Sequence, residues 1–339
     1  MAQPLCHIAE MQTSQILQTR ADRADRAGRT DGGNARTAQT VRKGGPMADQ
    51  RPAVLRDGTR PAPAGIAGPG ARPPTTDPGE LAATARRIRR HAVEMVAIAG
   101  MGYLGQATTS AEVFAVLYRA VLRHGVDRLV LSPGHYVITH YAAAVEAGLL
   151  DERALATYGV DGSWLESIST ERTPLVSATC GALGQGLSVG AGLALADALA
   201  DAERRTFVFG SDGEMEEGQT WEAAMFAAHH RLGRLTALFD CNGSQVDGPV
   251  ATVTTIEPVA DKWRSFGWTV HEVDGHDVGA VLAALHPPPG DGRPSVVLAR
   301  TRMLHGLGSL GDGRDAHFVT LGPGDVERAL EDTEPVGPR

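Results

Sequence analysis

The chain has 339 residues and a formal net charge of −8. This acidic balance, without a long basic run, disfavours a nucleic-acid partner. No apolar run reaches the roughly eighteen residues of a membrane span, and the three cysteines lack metal-ligand spacing, which is typical of a reduced, cytoplasmic protein.

Residues 1–78 are rich in Arg, Ala, Pro and Gly and show no sustained hydrophobic period. Such a segment cannot bury enough apolar surface to offset its ordering entropy, so it is predicted to be a disordered extension. Met47 opens a second start-like stretch, "MADQRP", and is an alternative start of the protein. The rest is predicted to form one domain over residues 79–325, followed by a tail over 326–339.

The first half of this domain is predicted to be mainly helical. Helical spacing of apolar residues predicts a helix over 79–100 and a second one that begins at Ser110 as its N-cap and ends at Gly125. A strand and turn follow at 127–135, and two further helices are predicted at 136–148 and 150–159.

The second half alternates strands with helices. A Gly-rich turn leads into a helix at 179–202, and strands are predicted at 205–210, 235–240, 268–275 and 294–302, with helices at 216–233, 254–267 and 277–286 between them. This alternation predicts an α/β fold, a doubly wound, mostly parallel sheet with helices on both faces. Ligands of such sheets bind beyond the carboxyl ends of the strands.

Two turns place oxygen ligands at one edge of this sheet. Asp212 and Asn242 follow strands that flank a single helix and therefore form one right-handed βαβ unit. A carboxylate, an amide oxygen and a nearby backbone carbonyl suit Mg²⁺, or Ca²⁺ or Mn²⁺, bridging to two phosphate oxygens. Gly213 allows close approach to the phosphates, and the helix starting near Glu216 directs its N-terminus toward them. Asp-Gly and Asn-Gly are also common turn dipeptides, so two ordinary turns are the alternative.

The stretch "SDGEMEEGQTWEAAMFAAHHRLGRLTALFDCNGSQVDG" resembles the thiamine-diphosphate fingerprint of transketolases, which is Gly-Asp-Gly, a spacer and then Asn. The spacer between Gly213 and Asn242 has 28 residues, the length found in that family. The resemblance extends from about Gly79 to Leu321 and includes "CGALGQGLS" and "LVLSPGH". It implies the thiamine-diphosphate-binding fold, thiamine diphosphate and Mg²⁺ as cofactors, and transfer of a two-carbon ketol or acyl unit.

The resemblance also implies the roles of individual residues. Metal ligands would be Asp212, Asn242 and the backbone carbonyl of Ser244. Residues in contact with the cofactor would be those two side chains together with Gly181, Leu183, Gly184, Ser211, Gly213, Val246, His135 and His317.

Four residues are assigned to catalysis by the same resemblance. His135 matches a histidine near the reacting carbon, His317 one near the diphosphate and substrate, and Glu217 a glutamate that couples two active sites across a subunit interface. Tyr103 stands where the family has a histidine. His305 is an alternative to His317, and Glu217 also suits the first turn of a helix as an acid that stabilises the helix dipole.

Three positions depart from the family pattern. Tyr103 replaces the histidine of Gly-His-x-Gly, the stretch "DGSWLESISTERTPLVSAT" lacks the family's Gly-His-Pro, and Ser211 replaces the first Gly of the fingerprint. In transketolases the two histidines hold hydroxyls of a ketose phosphate. The cofactor ligands are therefore expected to be retained, while a donor with fewer hydroxyls, such as a 2-oxo acid, becomes an alternative to the usual pentose phosphate.

A complete transketolase needs a second, pyrimidine-binding domain that carries an activating glutamate. The sequence stops at Arg339, so the expectation is a split enzyme in which a C-terminal subunit supplies that domain, in an α₂β₂ assembly. Alternatives are a subunit of a decarboxylating 2-oxo-acid carboligase and a non-catalytic scaffold. A generic nucleotide binder is disfavoured, because the early Gly-x-Gly-x-x-Gly turn is missing.

Overall fold

The computed structural model describes residues 61–285, 291–311 and 316–334. Residues 1–60 of the predicted extension and residues 335–339 of the predicted tail lie outside the described residues. Residues 66–75 lie along the ends of two helices, where their backbone N–H groups bond to carbonyls of residues 147–149 and of Arg119.

Nine α-helices are present in the described part of the chain. They are α1 (Pro78–Ala99), α2 (Leu104–Val116), α3 (Val137–Glu146), α4 (Gln185–Leu199), α5 (Gly218–His229), α6 (Val250–Val253), α7 (Val259–Ser265), α8 (Val278–Leu285) and α9 (Pro323–Asp332). No helix in the described ranges is both long enough and apolar enough to cross a membrane.

Eight strands form two sheets in the described residues. They are β1 (Arg128–Pro133), β2 (Ala178–Cys180), β3 (Thr206–Ser211), β4 (Leu235–Cys241), β5 (Ser244–Gln245), β6 (Gly248–Pro249), β7 (Thr269–Asp274) and β8 (Ser295–Arg300). Six are parallel in the order β2-β1-β3-β4-β8-β7, and β5 and β6 form an antiparallel hairpin. This parallel sheet with helices on both sides confirms the predicted fold class.

Side chains of the central strands alternate between two hydrophobic cores. In β3, Phe207 and Phe209 pack into one core, whereas Val208 packs into the other. The first core is built with α1, α2, α3 and α8, and the second with α4, α5 and α7. Because successive residues of a strand point to opposite faces, a strand covered on both faces is apolar throughout. The position of each strand end is therefore fixed by packing on both sides.

Two predicted elements differ in the structure. Helix α2 begins at Leu104, and Ser110 is not an N-cap, because its hydroxyl donates to the Gln106 carbonyl within the helix. The Thr- and Ser-rich segment is helical because every residue of α2 is buried, so tertiary packing outweighs its weak propensity. The helix predicted at 150–159 is a 3₁₀-helix over Glu152–Thr157. The other predicted helices and strands are present with shifted ends.

A buried ion-pair network joins α1 to α3. The two ring nitrogens of His91 lie 3.3 Å and 3.2 Å from carboxylate oxygens of Glu94 and Glu146, and Arg87 also donates to Glu146. Burial alone would lower the pKa of His91, but the bonds to Glu146 and Glu94 outweigh it and raise this pKa to about 9. His91 is therefore protonated at neutral pH in the folded protein.

We expect the His91→Gln substitution to change how stability depends on pH. The folded pKa exceeds that of the unfolded chain, so the stabilisation is complete below about pH 6.5 and is lost as the pH rises through 9. The difference in free energy of unfolding between wild type and variant should fall by about 3 kcal/mol over that window. Urea unfolding at pH 6, 7.5 and 9.5 measures it, with exposed His230→Gln as the control. A difference that does not vary with pH would contradict the assignment.

Candidate active site

The turns after β3 and β4 meet at the carboxyl edge of the sheet. The two strands are in parallel register up to the pair Ser211 and Asp240. The Asp212 amide donates to the Asp240 carbonyl at 3.0 Å, and the Gly243 amide donates to the Asp212 carboxylate at 2.6 Å. Asp212 and the turn that contains Asn242 are therefore in direct contact, as the βαβ arrangement predicts.

Asp212 is a buried carboxylate that has only backbone donors. Its second oxygen accepts from the Gly213 amide at 2.9 Å, and it forms no ion pair with any described residue. Burial, reinforced by the negative charge of Asp240, raises the pKa of Asp212 to about 7. A bound cation would counteract both effects on the pKa of Asp212, because its positive charge favours the ionised carboxylate.

Asn242 is oriented by a second buried carboxylate. Its side-chain NH₂ group donates to Asp240 at 3.0 Å, which leaves the amide oxygen on the opposite side, where it accepts from the Ser244 amide at 2.9 Å. Asp240 also accepts hydrogen bonds from the hydroxyls of Thr109, Tyr136 and Thr301. Burial raises the pKa of Asp240, and the four bonds partly offset this effect.

The hairpin of β5 and β6 closes this edge of the site. Ser244 opens β5, and a Cβ on Gly213 would lie 3.1 Å from the Cβ of Gln245, so glycine lets the hairpin approach the turn after β3. Val246 at the hairpin tip is 76% exposed. The Asp212 carboxylate and the Asn242 amide oxygen, which are hard oxygen donors of the kind that Mg²⁺ prefers, therefore lie on turns that are in contact.

Four rings cluster beside these turns. The centroid of the Tyr103 ring lies 5.3 Å from that of His135, 6.0 Å from that of His317 and 4.9 Å from that of Phe318. The centroids of His135 and His317 are 5.3 Å apart, and the Gln106 side-chain amide is hydrogen-bonded to Nδ1 of His317 at 2.8 Å. The structure therefore brings together Tyr103, His135 and His317, which sequence analysis placed in one site.

Burial sets the charge state of these rings. It lowers the pKa of His135 to about 3, with a further contribution from His317, and it raises the pKa of the Tyr103 phenol. Both groups are therefore neutral at physiological pH. They can donate or accept hydrogen bonds, but they add no positive charge to the site.

The Gly-rich turn between β2 and α4 faces the same region. Gly184 has φ +82°, and a Cβ there would lie 2.7 Å from the Cβ of Glu217. Leu183 is 42% exposed and Gly181 is exposed, so the outer side of the turn is open. Glu217 is exposed at the start of α5 and makes no capping bond with its side chain. Ser211 is buried, and its hydroxyl accepts from the Glu214 amide at 3.3 Å.

Sequence reasoning missed the residues that support the site from behind. Asp240 holds Asn242, Glu214 holds the Gly184 turn and Gln106 holds His317. Tyr136 donates to Asp240 and so supports Asn242 indirectly. The sequence does contain one sign that Asp240 is important for the site. It is a charged residue at the end of an otherwise apolar strand, two residues before Asn242. Such a residue must be hydrogen-bonded when the strand is buried.

A second cluster of titratable groups lies apart from the ring cluster. Glu112, His276 and His305 approach one another closely enough to suggest a cation site, and the two imidazole rings stack at 3.6 Å. However, both carboxylate oxygens of Glu112 accept from Arg89, and Nε2 of His276 accepts from the Arg302 amide. The cluster is therefore a buried ion-pair network. His305 belongs to this network, whereas His317 lies in the ring cluster.

Comparisons with known proteins agree with this geometry. Residues 81–333 match the family described as transketolase, thiamine diphosphate binding domain. The chain is 37% identical to the 6-deoxy-6-sulfo-D-fructose transketolase subunit SqwG of a Clostridium species, over 66% of this chain and 84% of that protein. It is 34% identical to one of the subunits of apulose-4-phosphate transketolase from Actinobacillus succinogenes, over 75% of this chain and 95% of that protein.

A solved structure of a transketolase has a similar fold. The crystal structure of transketolase from Campylobacter jejuni superposes with a TM-score of 0.69 at 25% identity, over 75% of this chain. The chain spans 42% of the length of that protein.

We expect His135 to remain neutral between pH 5 and pH 9, because burial and His317 lower its pKa to about 3. The Cε1 proton shift of His135 in NMR spectra, identified by its loss in His135→Gln, should stay constant over this range. An inflection near pH 6.5 would show a solvated imidazole and contradict the described environment.

Proposed function

The chain belongs to the transketolase family, whose thiamine-diphosphate-binding domain it contains, and from this premise we propose that it is the N-terminal subunit of a two-component, Mg²⁺-dependent enzyme. That enzyme transfers a two-carbon ketol unit from a ketose donor to an aldehyde acceptor. The observation that carries the proposal is the contact between the Asp212 carboxylate and the turn of Asn242, which brings two hard oxygen donors to the meeting point of two strand ends. We propose the backbone carbonyl of Ser244 as the third metal ligand.

These residues suit a metal-bound diphosphate. A divalent cation held by them would neutralise the buried Asp212 carboxylate and supply positive charge for binding a diphosphate. Gly181, Leu183, Gly184, Ser211, Gly213 and Val246 line the surrounding turns, and the open outer side of the Gly181–Gly184 turn leaves room for a ring system. Thiamine diphosphate, when bound, supplies the nucleophilic carbon and the electron sink for cleaving a bond next to a carbonyl.

The ring cluster provides the contacts for the substrate. His135, His317 and Tyr103 are positioned to hold oxygen atoms of a donor by hydrogen bonds, and His135 and Tyr103 do so as neutral groups. Water would be excluded by the aromatic faces of Tyr103 and Phe318, which pack edge to face. We assign the substrate contacts to these three polar rings, and to Glu217 a role in coupling active sites between subunits.

A partner subunit is supported by the names and lengths of the relatives. Two proteins that are themselves named transketolase subunits are covered over 84% and 95% of their lengths. Exposed apolar side chains also lie on the two helices that follow the turns of the proposed site and on the turns themselves: Val189 on α4, Met225 and Phe226 on α5, Leu183 before α4 and Val246 on the hairpin. Patches of this kind mark interaction surfaces. We propose that a C-terminal transketolase-like subunit covers them, supplies the activating glutamate and assembles as α₂β₂.

Ketose donors are favoured over 2-oxo acids. The two related subunits are named for 6-deoxy-6-sulfo-D-fructose and for apulose 4-phosphate, which are sugars and not 2-oxo acids. A modified ketose also suits a site in which Tyr103 replaces one of the histidines that hold hydroxyls of common ketose phosphates. A scaffold without catalysis is disfavoured, because it would not need the metal-ligand set.

The Asp212→Asn substitution is expected to weaken binding of thiamine diphosphate at fixed Mg²⁺ at least about a hundredfold, because the bridging cation would lose its charged ligand; this corresponds to about 2.7 kcal/mol. Calorimetry on the assembled complex, with and without a chelator, measures the change. Asp247→Asn, at an exposed acid of the hairpin, is the matched control. Equal affinities for wild type and Asp212→Asn would contradict the metal site.

The donor is tested by competition for one aldehyde acceptor. We expect the assembled complex, but not this chain alone, to transfer ketol units, and to use a ketose modified at its far end better than xylulose 5-phosphate. Each missing hydrogen-bond partner costs about 1–3 kcal/mol, so Tyr103→His should raise kcat/KM for xylulose 5-phosphate about tenfold.

Tyr103→Phe, which removes only the hydroxyl, is the control and should not show this gain. Clear preference of the wild-type complex for xylulose 5-phosphate would show that the replacement does not set specificity. Turnover with pyruvate alone would favour the carboligase alternative.

A further inference from the structure

Glu214 is a buried acid that the proposed chemistry does not use. It lies in the 3₁₀-helix Gly213–Glu216 after β3 and is 2% exposed. A buried carboxylate without partners would be costly, so its hydrogen bonds indicate what it holds in place. It forms no ion pair with any described residue, and its partners are a hydroxyl and a backbone amide from two other segments.

The carboxylate bonds to the end of β1 and to the start of α4. One of its oxygens accepts from the Ser132 hydroxyl and also from the Gly184 amide, the latter at 2.8 Å. Ser132 in turn accepts from the Gly186 amide at 3.0 Å. Because a carboxylate can only accept, it fixes the serine hydrogen on its own side and leaves a serine lone pair facing Gly186.

These bonds replace the missing cap of α4. The first N–H groups of a helix have no intrahelical acceptor, and the N-cap residue of α4 is Gly184, which has no side chain to supply one. Glu214 and Ser132 therefore satisfy amides of the first turn from outside the helix. The approach is close, since a Cβ on Gly186 would lie 2.0 Å from the Ser132 hydroxyl oxygen.

The bonds hold the turn before α4 from its inner side only. The outer side, with Gly181 and Leu183, remains exposed. We propose that Glu214 is a positioning residue that, through Ser132 and the Gly184 amide, fixes the Gly181–Gly184 turn in the conformation that contacts thiamine diphosphate. The proposal rests on the proposed function of the site and adds a residue to it.

The test separates turn geometry from cofactor binding. Hydrogen exchange of the segment 181–187 is measured on the full chain without cofactor, and affinity for thiamine diphosphate at fixed Mg²⁺ is measured on the assembled complex. Glu214→Met removes the acceptor, whereas Glu214→Gln keeps a side-chain oxygen for both donors. Asp197→Leu removes another buried carboxylate, one that pairs with Arg128 and Arg204 beyond the first turns of α4, and is the matched control.

In Glu214→Met we expect the hydrogens of the Gly184 and Gly186 amides to exchange about tenfold faster than in wild type. The Kd for thiamine diphosphate should rise about tenfold. Glu214→Gln should restore both to within about threefold of wild type, and Asp197→Leu should change neither. Ser132→Ala should give an intermediate loss, which keeps the test decisive if Glu214→Met does not fold.

Three results would overturn the proposal. Unchanged exchange in Glu214→Met, or in Ser132→Ala if only that variant folds, would show that the turn does not depend on these bonds. Faster exchange with an unchanged Kd would show that the turn does not contact the cofactor. If the wild-type complex does not bind thiamine diphosphate, the proposed function itself is wrong. If wild type and variant bind it equally well, only the proposed role of Glu214 is wrong.

Discussion

The carboxylate of Asp240 connects four segments of the chain that are distant in sequence. It accepts hydrogen bonds from Thr109 in α2, Tyr136 after β1, Thr301 after β8 and Asn242 after β4. Each of these segments also carries or adjoins a residue of the candidate site. A charge in this position is costly to bury, so the donors must converge on it for the fold to form. The orientation of Asn242 and the placement of the ring cluster both depend on this convergence.

Two more buried acids, Asp212 and Glu214, follow β3 at the same edge of the sheet. Burial raises the pKa of both Asp212 and Glu214 to about 7, and Asp240 adds to the shift of Asp212. Their described partners are hydroxyls and amides, with no basic side chain among them. Such an arrangement favours a cation supplied from outside the chain. A cation bound at Asp212, as proposed, would therefore also stabilise the folded protein.

Much of the fold followed from the sequence because its signals are local. Strand–helix alternation gave the sheet, and the spacing of Asp212 and Asn242 around one helix was enough to predict that their turns meet. The start of α2 could not be predicted, because "TTS" favours a cap or turn locally and becomes helical only through burial between neighbouring helices. Asp240, Tyr136 and Glu214 were missed for a related reason. Their partners come from strands that are neighbours only in the order β2-β1-β3-β4-β8-β7, which one sequence does not reveal.

The same distinction explains why the proposed metal ligands Asp212 and Asn242 match the family pattern while Tyr103 departs from it. Asp212, Asn242 and the Gly184 turn are held by backbone amides and buried carboxylates that also join the sheet together, so changing one of them disturbs several segments. Tyr103 and Phe318 instead lie at the start of α2 and in the segment after β8, and they contact each other edge to face. Phe318 is 48% exposed, so little of the core depends on it. Substitution at Phe318 would alter the shape of the ring cluster at small cost to folding. The proposed substrate contacts can therefore vary while the proposed metal ligands are kept.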